Sequence, residues 1–200
     1  MKQLSLFPND PEPTIPGLKY IDSYISKEEE IELLNNIDQN SWLDDLKRRV
    51  QHYGYKYDYK NKKIDSSYYL GSIPEWLAPL CNRLLSEGIF KVLPDQVIVN
   101  EYLPGQGIAS HIDIPCFDET ICSISLGSSC LIEFSKNNSK IYQWLEPMSL
   151  LALSSEARYE WHHGIAARKY DNYNGGRILR GRRVSLTFRK VVVTALSSRT

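Results

Sequence analysis

The sequence lacks any apolar run long enough to cross a bilayer, any C-x-x-C pair, any internal repeat and any overall excess of one charge. Without about 20 consecutive apolar residues, no membrane-spanning helix and no membrane partner are expected. Cys81, Cys116, Cys122 and Cys130 follow neither metal-finger nor secreted-framework spacing, so free thiols in a reducing compartment are expected. The first residues show no charged-then-apolar leader architecture, and a cytoplasmic protein is the simplest expectation. Basic and acidic side chains balance at 24 each, but not along the chain. Residues 1–45 carry three basic and ten acidic side chains, which leaves residues 46–200 with an excess of seven positive charges. That bias suits a polyanionic partner, and a segregated surface charge without function accounts for it equally well.

What is present is one domain's worth of chain, 200 residues. Residues 1–17 contain Pro8, Pro11, Pro13 and Pro16 and little periodicity, so they read as an extended, flexible tail ahead of a single domain over 18–200. Ser26 with Glu29 forms a capping box, and Ile31, Leu34 and Ile37 follow at helical spacing, predicting a helix over 27–39. A second helix is expected from about Pro74, presenting Leu77, Leu80 and Leu84, with Pro79 a potential kink. Between them, residues 50–59 read as a strand with Tyr53, Tyr55, Tyr57 and Tyr59 on one face. From residue 95 short β runs follow one another: 96–102, 121–126, 130–134, 141–144, 149–153 and 183–193, separated by turn chemistry at 104–107 and 136–140. The pattern predicts an α+β chain, mainly β, with a jelly-roll core and N-terminal helices packed outside.

Chemistry enters with His111 and Asp113. Two residues apart on a strand end, their side chains leave the same side and can share one metal. H-x-D alone arises by chance; a distant histidine and R-x5-R after it make the order specific. The third ligand is His162 or His163, which point oppositely if on a strand, and Gly164 leaves room beside His163. Two imidazoles and a carboxylate form the facial triad that holds Fe(II) with positions open for a co-substrate and dioxygen. Arg183 and Arg189 suit a dicarboxylate such as 2-oxoglutarate, whose carboxylates match a guanidinium fork. Over 183–189 polar and apolar residues alternate strictly, which fits a strand, although six residues span about 20 Å and both arginines reach one small ligand only if they converge.

Asn100-Glu101-Tyr102-Leu103-Pro104-Gly105, His111-Ile112-Asp113, His163-Gly164-Ile165 and Arg183 through Thr187-Phe188-Arg189 resemble, in order, the core motifs of the AlkB family of Fe(II)/2-oxoglutarate dioxygenases. The resemblance covers 96–191, about half the chain, within a catalytic core of about 95–192. It implies the double-stranded β-helix fold, metal ligands His111, Asp113 and His163, and a 2-oxoglutarate site made by Asn100, Tyr102, Arg183, Ser185 and Arg189. Ser185 stands where the bacterial prototype has an amide, which weakens one co-substrate contact. A lid is implied over about 42–70, where Arg49 and Tyr53 are the substrate candidates: arginine meets phosphate and bases stack on tyrosine.

The implied activity consumes Fe(II)-bound 2-oxoglutarate and dioxygen to demethylate N-alkylated bases in nucleic acid. DNA repair is favoured because Gln3, Leu4, Leu6 and Phe7 lie in a segment resembling the peptide by which bacterial repair proteins dock on the sliding clamp. Those apolar side chains could equally tuck onto the protein's own surface. An RNA-modifying hydroxylase, such as one acting on a tRNA wobble uridine, is the alternative, because Ile114-Pro115-Cys116-Phe117 lacks the acidic residue of the DNA-repair prototype. A non-catalytic nucleic-acid-binding module is a third reading, against which the complete triad and arginines stand.

Overall fold

The computed structural model describes residues 14–44, 46–61, 64 and 66–192. The segment containing Gln3, Leu4, Leu6 and Phe7 lies outside them, as does residue 193 at the expected end of the last strand. In chain order the elements are β1 (Leu18–Ile21), α1 (Lys27–Gln39), β2 (Val50–Tyr53), α2 (Ala78–Ser86), β3 (Gln96–Tyr102), β4 (Ile108–His111), β5 (Phe117–Gly127), β6 (Cys130–Lys136), β7 (Ser139–Leu145), β8 (Leu150–Leu153), α3 (Ser155–Tyr159), β9 (His162–Ile165), β10 (Tyr170–Tyr173), β11 (Gly176–Leu179) and β12 (Arg183–Val191). A single 3₁₀ turn covers Ser66–Tyr68.

Two antiparallel sheets form the jelly roll. One has six strands in the order β1-β8-β5-β12-β3-β2, the other four in the order β4-β9-β6-β7, and β10 with β11 makes a separate ribbon. Strand alternation assigns the faces of the larger sheet. Val97, Val99, Cys122, Ile124, Leu126, Val184, Leu186 and Phe188 point to the helices and join Leu33, Ile37, Leu77, Leu80 and Leu84 in the main core. The opposite face turns to the smaller sheet, where Ile132, Phe134, Leu145, Leu151, Leu153, Trp161 and Ile165 form a second core. The site lies on that inner side, beyond the apolar cluster.

Local chemistry explains the helices and corrects three expectations. In α1 the capping box forms: Glu29 N–H donates to Ser26 Oγ at 3.2 Å and Ser26 N–H to Glu29 Oε2 at 2.9 Å. The buried stripe is Glu30, Leu33 and Ile37 rather than one containing Ile31, which is exposed. Glu30 takes the inward position because its carboxylate accepts Gly127 N–H at 2.8 Å, tying the helix to the end of β5. The second helix starts at Ala78, not Pro74, and Pro79 sits in its first turn, where a missing N–H leaves nothing unsatisfied. The expected strand over 50–59 stops at Tyr53, because Gly54 adopts φ +78° against the carbonyl of Asp95, where a Cβ would lie 1.8 Å from that oxygen. Tyr55 then makes only an isolated bridge to Tyr69.

All four cysteines are free thiols. Among the described residues no helix is long and apolar enough to cross a membrane.

Candidate metal centre and co-substrate pocket

The metal ligands expected from sequence meet because of strand register. β4 pairs with β9 so that His111 lies directly opposite His163, and their ring centroids are 4.5 Å apart. Asp113 leaves β4 two residues after His111, and one ligand atom from each of the three lies within 4.8 Å of the others. His163 Nε2 is 3.5 Å from Asp113 Oδ2. His111 Nδ1 donates to Ala109 carbonyl at 2.9 Å in the tautomer this contact requires, which turns Nε2 towards its partners. His162, the chain neighbour of His163, is exposed. Gly164 is needed for a different reason than room beside a metal: a Cβ there would come within 2.9 Å of Ser110 Cα, so its absence lets β4 close on β9.

Electrostatics favour the ligand forms of these groups. Burial and the neighbouring His163 lower the pKa of His111, which keeps the imidazole neutral. For Asp113, burial acts to raise the pKa, but the Arg189 guanidinium and the two imidazoles outweigh it and hold the carboxyl well below the usual range. Arg189 Nη2 donates to Asp113 Oδ1 at 2.8 Å. Arg158, 1% exposed, donates from Nη1 to Asp113 carbonyl and from Nη2 to Ile114 carbonyl, both at 2.7 Å. It arrives from α3, across the fold, and braces the backbone of the carboxylate ligand and of the loop after it.

β12 supplies the second half of the site. Arg183, Ser185, Thr187 and Arg189 occupy one face, and cross-strand register sets Ser185 beside both Asn100 of β3 and Ser125 of β5. Arg183 Nη2 donates to Ser125 Oγ at 2.8 Å, and its guanidinium lies 5.4 Å from the Tyr102 ring centroid. Asn100 Oδ1 accepts Arg48 Nε at 2.9 Å. Arg183 Nε and Nη1, Arg189 Nε and Nη1, and His163 Nδ1 are all buried without a partner among the described residues. Buried guanidinium N–H groups are costly to leave unpaired, so this donor set fits an anion with carboxylates. The two arginines have separate surroundings: Arg189 lies against Asp113, and Arg183, at the other end of the strand, against Ser125 and Tyr102.

The lid candidates are placed apart from this face. Arg49 binds Glu101 through Nε and Nη2 at 2.7 and 2.8 Å and stacks 4.7 Å over Trp42. Tyr53 donates to Gln51 Oε1 and packs edge-on against Trp76 on the helix side. Different lid aromatics approach the triad. Tyr57 lies 6.3 Å from Phe117, the ring beneath the Arg189 guanidinium, and packs edge-on against Tyr59, which in turn lies 5.6 Å from His52. Burial pushes the Tyr59 hydroxyl up to about 12 despite the opposing charges of Arg48 and Arg189. Sequence reading missed Arg48, Arg158 and His52. The alternation that buries Gln51 towards α1 could have placed His52 on the inner face, whereas nothing local marks Arg158.

A jelly roll that brings two imidazoles and a carboxylate together beside unpaired buried arginines has the constellation of a non-haem Fe(II) oxygenase. The comparisons narrow this. The family model described as 2OG-Fe(II) oxygenase superfamily matches residues 35–189. The mouse tRNA (carboxymethyluridine(34)-5-O)-methyltransferase ALKBH8 is 38% identical over 88% of this chain, and the Arabidopsis thaliana alkylated DNA repair protein ALKBH8 homolog is 35% identical over 91%. The chain spans 30% of the length of the mouse protein and 60% of the plant one. The solved structure of OsALKBH1 superposes with a TM-score of 0.68 at 17% identity, covering 90% of this chain and 99% of that one, which shows the shared fold. The chain belongs to the AlkB family of 2-oxoglutarate-dependent oxygenases. It is accordingly a dioxygenase that uses Fe(II), 2-oxoglutarate and dioxygen.

Proposed function

We propose that this dioxygenase oxidises an alkyl substituent on a base of RNA. The observation that carries the reading is the character of the site's mouth: Tyr57 and Tyr59 are partly exposed rings packed edge-on, and Arg48 and Arg189 place positive charge beside them. Residues 114–117, directly after Asp113, carry no carboxylate, and the carboxylate of Asp113 itself is held by Arg189 and faces His163. A base made cationic by alkylation gains from a carboxylate; this mouth suits a neutral base. The tRNA named in the mouse relative points the same way.

His111, Asp113 and His163 would hold the iron, and Arg183 with Arg189 the carboxylates of 2-oxoglutarate. When bound, the iron lets dioxygen convert 2-oxoglutarate to succinate and carbon dioxide, with one oxygen atom placed into a substrate C–H bond. The chain's residues perform the rest. Arg183, with Ser125 and Tyr102 around it, fixes the far carboxylate; Asn100 keeps Arg48 in place; Phe117 and Tyr57 close over Arg189 and exclude water. A base in a duplex would have to leave its stack, so single strands and loops are the favoured substrates.

DNA dealkylation is the second reading, supported by the clamp-like segment at Gln3 to Phe7 and by the DNA repair named in the plant relative. Coupled succinate release with a carboxymethyluridine-containing RNA loop and with N-methylated single-stranded DNA separates the two. The RNA base should gain one oxygen; on DNA the methyl group would leave as formaldehyde. If neither oligonucleotide raises succinate release above the level without substrate, nucleic acid is not the target.

A further inference from the structure

The ribbon of β10 and β11 belongs to neither sheet, follows the third ligand strand after four residues, and is anchored on one side only. Its inner side is fixed by Asp171, which is 1% exposed and neutralised by Arg168 and Arg180, and by Tyr173 stacked on Trp144 at 4.5 Å. Its outer side carries Tyr170, Asn172, Arg177 and Leu179, all exposed. There Tyr170 is 40% exposed and Leu179 61%, and the Arg177 guanidinium lies 4.1 Å over the Tyr170 ring. Lys169 and Arg177 have no ion pair among the described residues, and no acidic residue follows Asp171 in the sequence. Arg168, Lys169, Tyr170, Asn172 and Arg177 line one groove, whose edge meets the 103–107 turn: a Cβ at Gly105 would touch Lys169 Cγ at 3.9 Å. That turn in turn holds the lid through Gln106, which donates to Lys47 carbonyl at 2.6 Å. The groove is thus linked through that turn to the segment ahead of β2.

We infer that the outer face of the β10–β11 ribbon is a docking surface for the single-stranded RNA that flanks the target base, an inference that rests on the RNA reading of the site. The chemistry matches: uncompensated cations meet phosphates, an exposed tyrosine capped by arginine stacks a base, and the Asn172 amide can pair with a 2′-hydroxyl.

Anisotropy of a labelled single-stranded RNA, followed across salt concentrations, tests this. For the Lys169→Ala/Arg177→Ala variant, the plot of log affinity against log salt should become shallower by about 1.4, two phosphate contacts at about 0.7 each, and binding should weaken roughly tenfold. Tyr170→Ala should weaken binding about fivefold or more with its slope unchanged. Lys19→Ala, exposed on the edge strand β1, serves as the charge control. An unchanged slope in the double variant, an equal loss in Lys19→Ala, or tighter binding of DNA of the same sequence each overturns the assignment. A wild-type chain that binds no RNA overturns the RNA reading as well; RNA-binding wild type with an unaffected double variant overturns the surface alone.

Discussion

At the scale of single residues, Arg158 is the side chain whose role is most sharply defined by its surroundings. It touches no ligand atom, yet its two hydrogen bonds at 2.7 Å fix the carbonyls of Asp113 and Ile114, and a third reaches Phe117 carbonyl at 3.5 Å. Lysine keeps the charge but lacks the planar fork whose two separate nitrogens reach the two carbonyls. Arg158→Lys should therefore lower Mn(II) affinity by about 10- to 100-fold, read by direct metal titration, the size of effect seen when the support of a ligand is lost. Unaltered metal affinity with a lower melting temperature would make it a core tie only. The cluster of His111, Asp113 and His163 that could hold a metal was legible in the sequence through the family resemblance, because metal chemistry allows few residue types at fixed order. Arg158 was not, since its partners are backbone carbonyls 41 to 45 residues away, which no spacing encodes. Arg49 and Tyr53 show the converse: their chemistry suited a lid, but Glu101 and Trp76 take them to the helix side.

At the scale of elements, Gly164 determines how β4 and β9 close. Gly164→Ala would place a methyl group 2.9 Å from both Ser110 N and Cα, and the neighbours are backbone, so the strands must separate. The expected result is a stability loss of about 1–3 kcal/mol, together with weaker metal binding as His111 moves from His163. A variant with the metal affinity of wild type would show that β4 adjusts without moving its histidine. Elements defined by local signals read well from sequence: the capping box placed α1 at Lys27–Gln39, and strict alternation placed β12. The boundary after Tyr53 did not, because the tyrosine alternation continues past Gly54 while the backbone turns against Asp95. The inward position of Glu30 was likewise hidden, since its partner is Gly127, 97 residues away.

At the scale of the whole molecule, Glu101 joins parts distant in sequence. Its carboxylate, 2% exposed, receives Arg49 ahead of β2 and Arg182 ahead of β12, and Arg182 continues to Asp38 of α1. Burial acts to raise the Glu101 pKa, and the two arginines overcome it, leaving the value lowered. A lowered folded value means that the stabilisation is complete above the unfolded pKa of about 4.3 and is lost as pH falls through the folded one. Glu101→Gln should cost about 1–3 kcal/mol at neutral pH, the lower end reflecting the partial exposure of both arginines. Its melting temperature should also decline less steeply than that of wild type below about pH 4. Parallel declines would remove the network from the account of acid stability. The two-sheet architecture was readable from the succession of short β runs; the ionic tie between the larger sheet and α1 required the register.

The two ligand histidines stand on unequal ground. His163 lies on β9, flanked on both sides by β4 and β6, whereas His111 ends an edge strand whose ladder is irregular between Ile108 and His111. Edge strands with such irregularities open more readily than interior ones. Amide hydrogen exchange should therefore be slow over 163–165 whether or not metal is present, and faster over 108–111 until metal is added, when it should slow markedly. Equal rates in the two strands before metal addition would refute the asymmetry. One half of the centre is a fixed post and the other a hinged latch, so the entry and escape of an ion would follow the breathing of four residues at the sheet's margin.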